Sequence, residues 1–192
     1  MSENLCRAVA ATLAEPSAMT FQVTKWFSKI LQTLTSQQDA SSQPIYSNQY
    51  IFECLGEQNV VCLLIDMLRF YLSMGDHMYL AAIYDTLKLL NLLCKMSPAR
   101  SEQATQDGNA VEPLKGLIFY IESQGEQIKR NKRIKLLNSA LQIIQELAAA
   151  SFSTRQSLLA NQIPSVLLQL FQNSTTSKRQ SSGNVHSFSL AQ

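Results

Sequence analysis

Charge is scarce in this chain. Asp, Glu, Lys and Arg make up only 16% of its 192 residues, against about 25% in an ordinary soluble domain. The two signs nearly cancel, with 16 basic and 14 acidic residues leaving a formal charge of +2. So small a field does not by itself recruit nucleic acid or an anionic membrane. Histidine is confined to His77 and His186, and neither belongs to a catalytic or metal-ligand pattern. No HExxH, GxSxG, P-loop or GxGxxG stretch occurs, and the acidic residues are scattered singly. Enzymatic chemistry has no obvious home here, and no cofactor or metal is expected. Apolar runs stop short of the ~18 residues a membrane span needs, and Glu3, Arg7 and Glu15 interrupt any signal-peptide core. The four cysteines, Cys6, Cys54, Cys62 and Cys94, show no CxxC pairing and lie among apolar neighbours. They are expected to be buried free thiols of a reducing compartment, which points to a cytoplasmic or nuclear protein. The Asn173-Ser174-Thr175 sequon is discounted for want of a secretory signal.

Glycine (6) and proline (5) are also few, so helices can run uninterrupted, and the apolar residues recur at helical spacing. Two N-terminal helices are expected within residues 1–35, the second carrying Phe21, Trp26, Phe27, Ile30, Leu31 and Leu34. The Trp26–Phe27 pair is expected to pack in a core rather than anchor a partner. A Gln- and Ser-rich loop follows at Ser36–Ser47. A short helix ends at Gly56, and a strong one from Asn59 to Met74 closes at Gly75. Met78–Met96 closes at Ser97-Pro98, and Pro98–Thr105 is a weaker short helix. Pro113 falls in the first turn of a helix through Ile121, where proline is tolerated. Residues 125–131 read as a loop, and a long apolar-periodic helix starts at Ile134. Then come a short helix, a sharp turn at Asn161-Gln162-Ile163-Pro164, and a last apolar run to Phe171. Residues 173–192 are polar and Ser-rich, the composition of a disordered tail. Met67, Met74, Met78 and Met96 read as gap-fillers between helices.

Gly56, Gly108 and Asn161 stand 52 and 53 residues apart, each ending a short helix before an apolar one. Each of these residue types tolerates a left-handed backbone, which marks all three as candidate turns. Ser153-Thr-Arg155-Gln-Ser-Leu158-Leu-Ala-Asn161-Gln-Ile163-Pro164-Ser-Val166-Leu-Leu168 resembles the commonest stretch of armadillo repeats. In that family an Arg precedes the short helix and a Gly-x-Ile-Pro turn follows. Arg100 with Asp107-Gly108-Asn-Ala-Val111 is a looser copy. The resemblance spans Tyr46 to Phe171. It implies an all-α fold: a right-handed α-solenoid of about three armadillo-like repeats over residues 46–172, inside a helical domain of residues 1–172. The interval is longer than the ~40–47 residues of armadillo and HEAT units. The family's groove-lining Asn ladder is also missing, with Asp66, Arg69, Lys115 and Gln169 in its place.

A solenoid works as a surface for partners. A protein partner is therefore expected across the helices containing 59–74, 111–121 and 164–172, with Asp66, Arg69, Lys115 and Tyr120 as contact candidates. Weakly polar ends suggest end-on self-association or a place in a larger assembly. The one charge cluster is Lys129, Arg130, Lys132, Arg133 and Lys135. Such a patch suits a localisation signal or nucleic acid, but a solvated helix entry is the better expectation, with Ile134 already in the apolar stripe of the next helix. Lys178-Arg179-Gln-Ser181 matches a basophilic kinase site, making Ser181 a candidate phosphosite.

Overall fold

The computed structural model describes residues 59–124 and 127–183, and for Met96 and residues 174–183 the backbone only. The helices and loop expected before Asn59, with Cys6, Trp26, Phe27, Cys54 and Gly56, lie outside the described residues, as does His186. So does the side chain of Ser181.

Seven α-helices and one 3-10 turn make up the described chain, with no strand among the described residues. We number them α1 (Val60–Met74), α2 (Leu80–Met96), α3 (Pro98–Gln106), α4 (Val111–Ser123), α5 (Arg130–Ala150), α6 (Phe152–Ala160) and α7 (Ile163–Gly183). The all-α class expected from periodicity is what the described residues adopt.

Helix ends are set by specific residues. Gly75 closes α1 at φ 62°, its N–H donating to the Leu72 carbonyl at 3.2 Å, a conformation glycine adopts without a Cβ penalty. Asp76 then accepts from the Met78 N–H at 2.9 Å and starts the His77–Tyr79 turn that leads into α2. Pro98 opens α3 in the first turn, where its missing N–H costs nothing. Ser151 and Thr154 form a reciprocal capping box at the start of α6.

The core is one cluster of leucine-class side chains drawn from every helix. Val60, Val61, Leu64, Ile65, Met67, Leu68 and Tyr71 give α1 its buried face. Leu114, Leu117, Ile118 and Ile121 do so for α4. Each such side chain contributes about 1.5–3 kcal/mol by leaving water.

Contacts follow a simple order. Consecutive helices other than α3 and α4 pack on one another, α3 also packs on α1 and α5, and helices three places apart pack as well: α1 on α4, α4 on α7, α2 on α5, and α3 on α6. His77 meets Gln127 near the starts of α2 and α5, and Asn91 meets Gln142 further along both, so these two helices run parallel.

The turns repeat with the packing, but not at the expected residues. Besides Gly75, the left-handed positions among the described residues are Asn59 (φ 59°), Asn109 (φ 47°) and Gln162 (φ 59°), 50 and 53 residues apart. Asn161 is at φ −85° and Gly108 is not left-handed. At the second and third turns the special backbone falls one residue later, at Asn109 and Gln162. Gly108 is needed for a different reason: a Cβ there would collide with the Ile65 side chain and crowd the Ala104 carbonyl.

Three further expectations change. The fifth helix starts at Arg130, four residues before Ile134, and Ile134 is 45% exposed rather than part of the buried stripe. Met67 is buried as a gap-filler, but Met74 and Met78 are exposed. The helix α7 continues to Gly183, so residues 173–183 are helical where the composition suggested a disordered tail. No glycine or proline falls between Pro164, in the first turn, and Gly183.

Candidate protein-interaction surface

Arg69 is the best-connected side chain on the stacked α1–α4 surface. On α1 it pairs with Asp66, one turn back, at 2.7 Å. Its Nη2 donates to the carbonyls of Gly108 (2.7 Å) and Asn109 (3.1 Å), in the turn between α3 and α4, and its Nε reaches Glu112 on α4 at 3.4 Å. A planar guanidinium can serve all four acceptors at once, which an ammonium cannot. Lys115 does the matching job one helix on: its Nζ donates to the Asn161 carbonyl at 3.2 Å. Gly108 and Asn161 each immediately precede a left-handed residue, so the two cations fasten equivalent turns.

Of the four contact candidates, exposed Asp66 and half-buried Arg69 are paired, and half-buried Lys115 is engaged at the next turn. Tyr120 lies apart from them, at the other end of α4. Its hydroxyl reaches the Gly75 carbonyl at 3.5 Å, and its ring centroid lies 6.5 Å from that of His77. Burial, and secondarily the charge of Asp76, raises the Tyr120 pKa.

Sequence reasoning missed what else α4 presents. Glu112, Gly116 and Phe119 are exposed on the same side as Lys115, and Phe119 is 45% accessible. Nothing lies within 4 Å of a Cβ placed on Gly116. The spacing 112, 115, 116, 119 is a helical face, and a lone mid-helix glycine beside an aromatic was the signal available.

A second surface lies at the start of α5. Lys129, Arg130, Lys132 and Lys135 are exposed, and Arg133 is half-buried and paired with Glu122 at 2.7 Å. No acidic residue stands in the first turn, and Lys129 makes no side-chain cap. Positive side chains at the positive end of a helix dipole repel it, so this end favours an acidic neighbour.

A third surface involves α7, where Leu168 is 58% and Phe171 65% exposed. Phe152 and Leu159 of α6 are exposed as well.

The two described cysteines offer little chemistry. Cys94 is a buried free thiol whose pKa is pushed up to about 12 by burial, and burial likewise raises that of the half-buried free thiol Cys62. Among the described residues, no group of three His, Cys, Asp or Glu is placed to hold a metal ion. No described helix is long and apolar enough to cross a membrane.

Comparison with known proteins adds no relative: no family model, no curated protein and no solved structure matches this chain.

Proposed function

We propose that the chain is a non-enzymatic protein-interaction module, a right-handed armadillo-like solenoid whose stacked helices present a surface to a protein partner in the cytoplasm or nucleus. The observation that carries this is the three-place stacking, α1–α4–α7, α2–α5 and α3–α6, together with left-handed turns 50 and 53 residues apart. A second internal correspondence supports it. Ser101 of α3 donates to the Cys94 carbonyl and Thr154 of α6 to that of Leu147, each seven residues back, across the join from a long to a short helix.

Such a stack works through an extended face because each unit contacts only its neighbours. The face formed by Asp66, Glu112, Lys115, Gly116 and Phe119 has the character of a partner surface. It offers an exposed aromatic, a glycine that lets a partner backbone approach, and charges of both signs beside them. Arg69 and Lys115 hold this face in shape, and Asp66 and Phe119 are the better contact residues.

The test is capture from cell extract by the purified chain beside a Phe119→Asp variant, with circular dichroism to show that the variant is folded. Loss of a specific protein from the variant supports the proposal. Recovery of nucleic acid alone, removed by charge reversal at Lys132 and Lys135, would replace it with a nucleic-acid function for the basic cluster.

A further inference from the structure

The two long-helix positions of the fold are occupied by α2, which covers α1, and α5, which covers α4. Eight and nine residues beyond the left-handed position, α1 carries Met67 and Leu68, and α4 carries Leu117 and Ile118. All four are buried. In α7 the same count reaches Leu170, half-buried, and Phe171, exposed, with exposed Leu168 one turn earlier. Among the described residues, no helix stands to α7 as α2 stands to α1.

The flank of α5 beside that position is equally informative. On α2 the flank that receives the next parallel helix carries Asn91, which bonds Gln142 of α5, and, one and two turns earlier by helical spacing, Leu87 and Tyr84. Fifty residues on, the separation of His77 from the Gln127 it meets beside the starts of α2 and α5, the same flank of α5 reads Ile134, Leu137 and Leu141. It is more apolar than its covered counterpart, with Leu141 in place of Asn91. Yet Ile134 is 45% exposed, and Leu137 and Leu141 are only half-buried. Their spacing of three and four residues is that of a helix–helix seam. One turn before Ile134 stands exposed Arg130, where α2 has buried Leu80.

We propose that this slot, between the Ile134–Leu137–Leu141 flank of α5 and the Leu168 face of α7, takes an amphipathic α-helix from a partner protein, running parallel to α5 and carrying a carboxylate in its first turns. The orientation follows from the α2–α5 pair. The carboxylate follows from charge: a helix parallel to α5 starts beside Lys129 and Arg130, at the positive end of the α5 dipole, and only an acidic start relieves that repulsion. Leucine-class side chains every three or four residues would fill the seam. This inference rests on the stacked-unit reading above, and it adds the class of partner and a different place of docking.

The segment that fills the equivalent position on α1 provides the probe. It begins at Asp76 and carries Asp85 in its first half. A fluorescent peptide of residues 76–95 with Cys94→Ser should bind the full chain saturably. Ile134→Asp and Leu168→Asp, both at exposed positions, should each weaken it about tenfold, the effect of losing one apolar anchor. Arg130→Glu should weaken it too, and a peptide with Asp76→Lys should bind that variant better than it binds the unaltered chain. Melting curves would establish that the variants stay folded. Absence of saturable binding, or binding that none of the three variants alters, would overturn the proposal. So would a dimer of the chain that Leu168→Asp dissociates, since a second copy would then fill the slot. If peptide binding fails while Phe119-dependent capture persists, the slot is wrong and the module reading stands. If capture yields nucleic acid alone, the module reading itself falls.

Discussion

Arg69 of α1 donates to the carbonyl oxygen of Gly108 at 2.7 Å, joining residues 39 positions apart in sequence and fastening the start of α4 to the helix it stacks on. The bond is part-buried and charge-assisted, so its loss leaves a carbonyl short of a partner. Arg69→Ala should cost about 1–2 kcal/mol in urea denaturation. Arg69→Lys should recover little of this, because one ammonium cannot span the Gly108 carbonyl, the Asn109 carbonyl and Glu112 together. Asp66→Ala removes only an exposed ion pair and should cost less than about 1 kcal/mol. Equal losses for Asp66→Ala and Arg69→Ala would show that the ion pair, not the turn carbonyl, is what matters.

Two glycines separate close packing from open surface. At Gly108 a Cβ meets the Ile65 side chain and the Ala104 carbonyl. The Gly108→Ala protein should therefore be less stable by about 1–3 kcal/mol, as overpacked interiors are. At Gly116, in mid-helix and with no atom within 4 Å, Gly116→Ala should stabilise α4 by about 0.5–1 kcal/mol. Opposite shifts in melting temperature are expected, and shifts of the same sign would contradict this account of either position.

The helices were legible because their apolar residues recur at 3.6-residue spacing and the Gly75 and Pro98 boundaries use strong local chemistry. The start of α5 was not legible, because basic residues at a helix N-terminus oppose the dipole and read as a loop. Helix formation there is carried by the buried positions further along, from Leu136 to Leu147. At the second and third turns the left-handed position was misplaced by one residue because glycine is the usual bearer of that backbone, while here Asn109 and Gln162 bear it. Of the candidate surface, Asp66, Arg69 and Lys115 could be found as polar residues on apolar helices. Their fastening role could not, since it depends on carbonyls 39 and 46 residues away. Phe119 was passed over because an aromatic at helical spacing is ordinarily core.

Thr154 should be the most sensitive hydroxyl of the fold. Its Oγ1 donates to the buried Leu147 carbonyl at 2.6 Å, and its N–H is capped by Ser151. Thr154→Val keeps the shape and removes the hydroxyl, and should lower stability by about 1–2 kcal/mol. Thr154→Ser should hold most of it. The corresponding Ser101→Ala should cost about 0.5–1.5 kcal/mol through the longer 3.3 Å bond to the Cys94 carbonyl. A hydrogen-exchange measurement should localise both losses to the joins at residues 96–101 and 150–154.

Alkaline pH should find the weak point of the core. The Tyr71 hydroxyl and the Cys94 thiol are buried, and burial raises both pKa values to about 12, from 10.0 and 9.0 in the unfolded chain. Each group is held in its neutral form when folded and ionises more readily when unfolded. The stability they contribute is therefore complete below pH 9 and declines as pH rises through 9 and 10 toward 12, by up to about 1.4 kcal/mol per pH unit for each group. Tyr71 adds a second expectation. Its hydroxyl is buried without a hydrogen-bond partner among the described residues, while its ring stacks on Tyr79 at 5.4 Å. Removing the oxygen should therefore relieve a desolvated donor and keep the ring contact. Tyr71→Phe should be as stable as the unaltered chain at pH 7, or more stable by up to about 1 kcal/mol, and should lose less between pH 10 and 12. Denaturant melts across that range check both points. A Tyr71→Phe protein destabilised at pH 7 by 2 kcal/mol or so would mean that the hydroxyl has a partner and that its raised pKa has another cause. Cys94 can be followed separately by mass-mapped alkylation at pH 8, where it should react only after unfolding, because a neutral buried thiol is a poor nucleophile.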